Sequence, residues 1–191
     1  MRLALALAFC VLAQAAGAVE IAGATFAPRA NIGGEEAVLN GAGLRRILLF
    51  KAYAIGLYLA RPADNVETVL ADRGAKRLRI VLMRNLGADK LASTIDTGLH
   101  RNLTDAEFAP LSQRVESLRA AIYAFGEAKA GAAIHLDWLP SAGVTRLTVD
   151  GESRSGDFPG ADFYGALLKV WLGPNVNDPS LREKLLGRES A

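Results

Sequence analysis

Cysteine and histidine are nearly missing from this 191-residue chain, which has one cysteine, Cys10, and two histidines, His100 and His135. A lone cysteine excludes a disulfide within the chain, so stability must come from an apolar core. The two histidines stand apart without cysteine partners, and no zinc-type spacing arises. His100 falls near the end of an amphipathic helix, an ordinary place for a solvated histidine. Excess charge of one sign is lacking too: 22 Lys and Arg face 20 Asp and Glu, for a net of +2. That balance supplies no electrostatic footprint for nucleic acid, and Arg45-Arg46 is the densest basic pair. There is no Gly-x-Ser-x-Gly elbow and no phosphate loop. Asn40-Gly41-Ala42-Gly43 has two glycines but is expected to precede a strand, so it aims no helix N-terminus at a phosphate. Neither an internal repeat nor a low-complexity linker divides the chain.

One apolar run stands out, Leu3 to Ala16, behind the positive start Met1-Arg2. Ala16-Gly17-Ala18 follows with the small-x-small pattern of a signal-peptidase site. The run is shorter than the roughly 18–20 residues that span a bilayer, which argues against a retained anchor. Phe9 before Cys10 argues against a lipoprotein signal. The expectation is a signal peptide over residues 1–18 and one mature domain over 19–191. That domain is expected in the periplasm of a Gram-negative cell, without stable membrane insertion after cleavage.

Turn signals at Gly23, Pro28 and Gly33-Gly34 predict short strands over Val19 to Leu39. Leu44 to Leu59, rich in branched and aromatic residues, and Arg77 to Met83 read as strand. A short helix is predicted within Ala63 to Ala71. Leu91, Ile95 and Leu99, four apart, make the stripe of a second helix. A third opens on a Thr104–Glu107 capping box, buries Phe108, Leu111, Val115, Leu118, Ile122 and Phe125, and stops at Gly126. Ala133 to Leu139, Thr145 to Val149 and a strand ending near Phe158 follow as hairpins. Two helices close the chain, one carrying Phe163, Leu167, Val170 and Trp171. The other begins at Asp178-Pro179 and ends at Gly187. Such an order implies an α+β fold, with helices segregated onto one face of an antiparallel sheet.

Alternation places Tyr53 with Ile55, Leu57 and Leu59, and Arg45 with Ile47 and Leu49. Were Leu44 to Leu59 one regular strand, Arg45 and Tyr53 would face the same way; a hairpin near Phe50-Lys51 would break that parity. An arginine on an apolar face needs a partner, because an unpaired buried charge costs several kcal/mol. The partner is either a protein carboxylate or an acidic ligand gripped by Arg45 with help from the Tyr53 hydroxyl. Lys51 is long enough to snorkel to solvent.

Asn40 to Arg45, Lys51 to Leu59, and Phe163 to Gly173 resemble, in order and spacing, the signature blocks of the chalcone isomerase-like family. The resemblance implies an open-faced β-sandwich: a large antiparallel sheet covered by helices, with a ligand cleft between them. The family holds cofactor-independent chalcone isomerases and non-catalytic relatives that bind fatty acids. Arg45 matches the arginine of the family's cleft. Tyr53 stands where plant isomerases place a catalytic threonine, and a tyrosine there is similar to the fatty-acid-binding branch. Leu91 and Gly98 fall where isomerases carry a tyrosine and an asparagine, and Val170 where a threonine or serine helps choose substrate. Leucine, glycine and valine cannot donate the hydrogen bonds that ring closure needs, yet they suit an acyl chain.

The resemblance therefore implies binding of an amphipathic acid without a cofactor. Arg45 and Tyr53 would take the head group, and Leu91, Ile95, Gly98, Val170 and Trp171 would line or flank the tail. Two other readings compete. One is a cofactor-independent isomerase with Tyr53 as acid or base. The other is a scaffold whose own carboxylate satisfies Arg45.

Overall fold

The computed structural model describes residues 17–153 and 156–188. Most of the expected signal segment, Cys10 included, lies outside them. Two short strands, β1 (Val19–Ile21) and β2 (Ala24–Phe26), pair as a separate hairpin. The main sheet has seven antiparallel strands in chain order. They are β3 (Arg29–Ile32), β4 (Glu35–Ile47), β5 (Phe50–Leu59), β6 (Lys76–Leu82), β7 (Ala133–Leu139), β8 (Val144–Val149) and β9 (Phe158–Pro159). Helix α1 (Val66–Ala71) joins β5 to β6. Helices α2 (Ala88–Asn102), α3 (Asp105–Phe108) and α4 (Ser112–Phe125) join β6 to β7, and α5 (Ala161–Leu172) and α6 (Pro179–Leu185) close the chain.

Strand residues alternate between two apolar clusters, which fixes the layers. Ile55, Leu57, Leu59, Leu78, Ile80, Ile134 and Leu136 face the helices and form the main core with them. Ala54, Tyr58, Val81, Ile32 and Leu139 point the other way, where Ala24 and Phe26 of the β1–β2 hairpin cover them. Helix α5 buries residues around most of its circumference, including Phe163, Tyr164, Leu167, Leu168 and Trp171. It lies in the middle of the helical layer, packed against α2, α6 and the sheet. An all-round apolar helix has to be enclosed in this way.

The α+β architecture with helices on one face is as the sequence implies, and four local expectations are corrected. Leu44 to Leu59 is a hairpin, with Leu48 and Leu49 as its two-residue loop between Ile47 and Phe50. Asn40 to Gly43 lies inside β4 rather than ahead of a strand. The helix predicted to run through Phe125 breaks into α3, a 3₁₀ turn at Ala109–Leu111 and α4. Pro110 has no backbone N–H for the helical ladder, and its ring crowds the preceding turn. The Thr104–Glu107 capping box is present as expected. Among the described residues the last predicted strand is confined to Phe158–Pro159, which pairs with Val144 and Thr145.

The two glycines of β4 serve helix packing. A Cβ on Gly41 would run into the backbone carbonyl of Lys184, and one on Gly43 would sit 2.6 Å from Leu181 Cδ1. Helix α6 therefore lies directly on the backbone of β4. Asn40 clamps the same junction: its amide donates to the Ala63 carbonyl (2.9 Å) and the Leu185 carbonyl (2.8 Å). Its own oxygen accepts from the Ala63 amide at 2.8 Å.

Candidate functional site

Arg45 on β4 and Tyr53 on β5 are direct cross-strand partners. A regular two-residue hairpin would not have paired them. Ile47 faces Phe50 and Arg46 faces Lys51, so unbroken pairing would set Arg45 against Ala52. Instead the register shifts by one residue between Arg45 and Arg46, and Tyr53 becomes the partner. Such a bulge re-aims side chains. It turns Arg45 and Tyr53 toward the helices and leaves Arg46 and Lys51 on the other side.

The Arg45 guanidinium donates to Asp178 Oδ2 at 3.0 Å and to the Asn177 carbonyl at 3.4 Å. Both side chains of the ion pair are largely covered, at 18% and 25% exposure. Asp178 also caps α6, because its Oδ1 accepts from the Leu181 amide at 3.0 Å. One carboxylate thus holds the helix start and neutralises the arginine.

Tyr53 packs against the main core, and its hydroxyl oxygen accepts from Trp171 Nε1 of α5 at 3.0 Å. Burial pushes the phenol above its ordinary pKa, against smaller opposing effects of the Trp171 hydrogen bond and the Arg45 charge. Tyr53 is therefore a neutral donor at pH 7. Among the described residues, nothing accepts its proton.

The remaining expected residues gather in the same core but do not form an open wall. Gly98 of α2 meets Val170 of α5 so closely that a Cβ on the glycine would lie 2.5 Å from Val170 Cγ1. The pair fills itself and sets the crossing of the two helices. Leu91 is half-buried on the same helix. Ile95 is buried and lines a narrow recess toward α4 with Val115, Leu118 and Ile122. Trp171 is the one tail-side candidate with a polar bond to the head-group pair.

A larger concavity of about 440 Å³ lies elsewhere, lined by Leu70, Arg73, Lys76, Trp138, Tyr164 and Leu168 among others. Tyr53 faces Leu82 at one end of β6, and Lys76 lies at its other end. The length of that strand separates the two places by about 20 Å. The Lys76 ammonium already bonds the carbonyls of Asp72 and Gly74, and burial lowers its pKa. No three His, Cys, Asp or Glu side chains gather into a metal-binding group among the described residues. His100 is exposed against Phe108, with ring centroids 4.2 Å apart. His135 lies on the face away from the helices, its Nε2 buried without a hydrogen-bond partner among the described residues.

Sequence reasoning found Asp178 as a helix cap and missed it as the partner of Arg45. It read Asn40 as part of a signature block without seeing the clamp. The concavity near Lys76 carried no signal, because its walls come from segments far apart in the chain.

A meandering antiparallel sheet with a helical layer on one face, and an arginine–tyrosine pair beneath that layer, defines an open-faced sandwich. The chain belongs to the chalcone isomerase-like family, whose sequence model matches residues 18–187. Its structure is similar to that of the Arabidopsis thaliana fatty-acid-binding protein AtFAP1. The TM-score is 0.65 at 16% identity, covering 86% of this chain and 92% of that one. No curated protein sequence matches the chain.

Proposed function

We propose that the protein binds an amphipathic carboxylate, a fatty acid being the simplest case, between the sheet and the helices. The observation that carries this reading is the Tyr53 hydroxyl. It is half-buried against the core, neutral and, among the described residues, short of an acceptor, beside the cross-strand Arg45. A carboxylate arriving there would accept from Tyr53 and take the place of Asp178 at Arg45, leaving the Asp178 carboxylate, already a quarter exposed, to turn to water. The tail would enter the apolar layer that Leu91, Ile95, Val170 and Trp171 help to form, with α2 and α5 parting to admit it. AtFAP1, of similar fold, is described as fatty-acid binding, which supports the reading. Catalysis of chalcone ring closure is not proposed, since Leu91, Gly98 and Val170 offer no side-chain donor. The raised Tyr53 pKa also makes it a poor base at neutral pH. Export through cleavage after Ala18 belongs to the same proposal, and N-terminal sequencing of the exported protein checks it.

Calorimetry with a series of fatty acids and their methyl esters tests the reading. Arg45→Gln should weaken acid binding by about 2–5 kcal/mol, the usual effect of removing one side of a buried charge pair. Tyr53→Phe should cost about 0.5–1.5 kcal/mol. Equal affinity for acid and ester would refute the head-group assignment. Acid binding untouched by Arg45→Gln would move the site elsewhere, with the concavity beside Lys76 as the place to look.

A further inference from the structure

The β4–β5 loop runs against the chemistry of its fold. Two-residue hairpin loops favour glycine, asparagine or aspartate, because one or both loop residues need a positive φ. Here leucines fill both places, and Leu48 takes φ +53°. A branched apolar residue in that region is strained. The strain gains nothing inside the molecule, since Leu48 is 89% and Leu49 92% exposed. Ile47 and Phe50 on either side are 50% and 60% exposed, so four consecutive apolar residues project into solvent.

Basic side chains collar this tip. Arg46 and Lys51 face each other as cross-strand partners, and both are exposed. Like charges directly opposite destabilise a ladder. The Arg84 guanidinium lies over the Phe50 ring, 5.3 Å from its centroid. No carboxylate pairs with any of the three among the described residues. An apolar point above a ring of unpaired cations matches one surface by both hydrophobicity and charge: a bilayer with anionic phospholipid headgroups.

We infer that the Ile47–Phe50 tip docks the protein on an anionic bilayer, with Leu48 and Leu49 entering the acyl boundary and Arg46, Lys51 and Arg84 binding lipid phosphates. The contact is peripheral; among the described residues no helix is long and apolar enough to cross a membrane. Docking stands whether or not a ligand occupies the cleft. It would hold Arg45 within roughly 10 Å of the headgroups, the length of extended chain from Arg45 to Leu48.

Co-sedimentation of the purified protein with phosphatidylglycerol-containing vesicles tests the inference, with phosphatidylcholine vesicles as the neutral control. Binding is expected to anionic vesicles at about 0.1 M salt and to weaken strongly at about 1 M, where screening reaches about 3 Å. Arg46→Gln with Lys51→Gln should lower partitioning about fivefold for each cation removed. Leu48→Ser with Leu49→Ser should lower it about tenfold or more, at unchanged melting temperature because these two side chains are almost wholly exposed. A Leu49→Trp reporter should shift its emission to the blue on anionic vesicles and be quenched by brominated acyl chains. Failure to bind anionic vesicles, or full binding by the double-serine variant, would overturn the inference. So would a concentration-dependent dimer abolished by the double-serine variant while vesicles remain unbound, because the tip would then be a contact between two copies.

Discussion

Replacing Asp178 by asparagine separates the two roles of this residue and turns the proposed ligand exchange into an effect of opposite signs. Asparagine is as good a helix N-cap as aspartate, so the bond from the Leu181 amide, 3.0 Å in the native protein, is kept. What goes is the charge opposite Arg45, at 3.0 Å and roughly four-fifths covered. An exposed pair contributes at most about 1 kcal/mol, and breaking a fully buried one costs about 3–5 kcal/mol. The intermediate burial places Asp178→Asn at about 1–2 kcal/mol of lost stability. For a domain of this size that lowers the melting temperature by about 2–8 °C. Ligand binding should move the other way. Asp178 competes with an incoming carboxylate for Arg45, so its removal should tighten fatty-acid binding by about five- to thirtyfold, the same 1–2 kcal/mol read as affinity. A methyl ester, which cannot replace Asp178 electrostatically, should not gain. Calorimetry and thermal melts on one preparation give both numbers. If stability falls while acid affinity stays level or drops, the exchange at Arg45 is wrong and the ion pair is structural.

Three further outcomes follow from the packing and the charges. Gly98→Ala should destabilise by about 1–3 kcal/mol through its clash with Val170, and Val170→Ala added to it should recover much of the loss in a double-mutant cycle read by denaturant melts. Gly41→Ala should cost more than Gly43→Ala, since the first meets the Lys184 backbone and the second only the movable end of Leu181; chemical denaturation of the two variants decides. His135 has its pKa lowered from 6.5 to about 4, chiefly by burial and next by the Arg77 charge. The unfolded chain binds its proton first, so stability is full above about pH 6.5 and falls as the pH drops toward 4. Melting temperature followed across that window should lose this slope in His135→Gln, whereas the Glu107 carboxylate, held down to about 2, acts only below about 4.5.

What could be read from the sequence was what is encoded locally. The Thr104–Glu107 box, the Asp178-Pro179 start and the stripe of Leu91, Ile95 and Leu99 each need only neighbours within one helix, and each is present in the fold. Strands bounded by Gly23, Pro28 and Gly33-Gly34 were equally plain, because those turns use the residues that turn geometry favours. The Leu48-Leu49 loop has no such residue, so nothing in the local chemistry separated one long strand from a hairpin. The clearest loss was the partner of Arg45. Asp178 lies 133 residues away, and only the stacking of α6 on Gly41 and Gly43 brings it there.

The meeting of Arg45 with Tyr53 shows how a correct juxtaposition can rest on an incomplete reason. Equal parity places two residues on one face only along an unbroken strand. Across a two-residue loop the rule inverts: Ile47 pairs with Phe50 and Arg46 with Lys51, so Arg45 should share a face with Ala52 and lie opposite to Tyr53. The one-residue register shift between Arg45 and Arg46 cancels that inversion and makes Tyr53 the partner. It also divides the four polar side chains nearest the loop into two groups. Arg45 and Tyr53 are turned inward, beside a carboxylate and an indole, while Arg46 and Lys51 are left outward beneath the bare leucine tip. The proposed head-group site and the basic collar can therefore stand within a few residues of each other without sharing a face. The bulge, rather than either residue pair alone, is the local feature on which both depend.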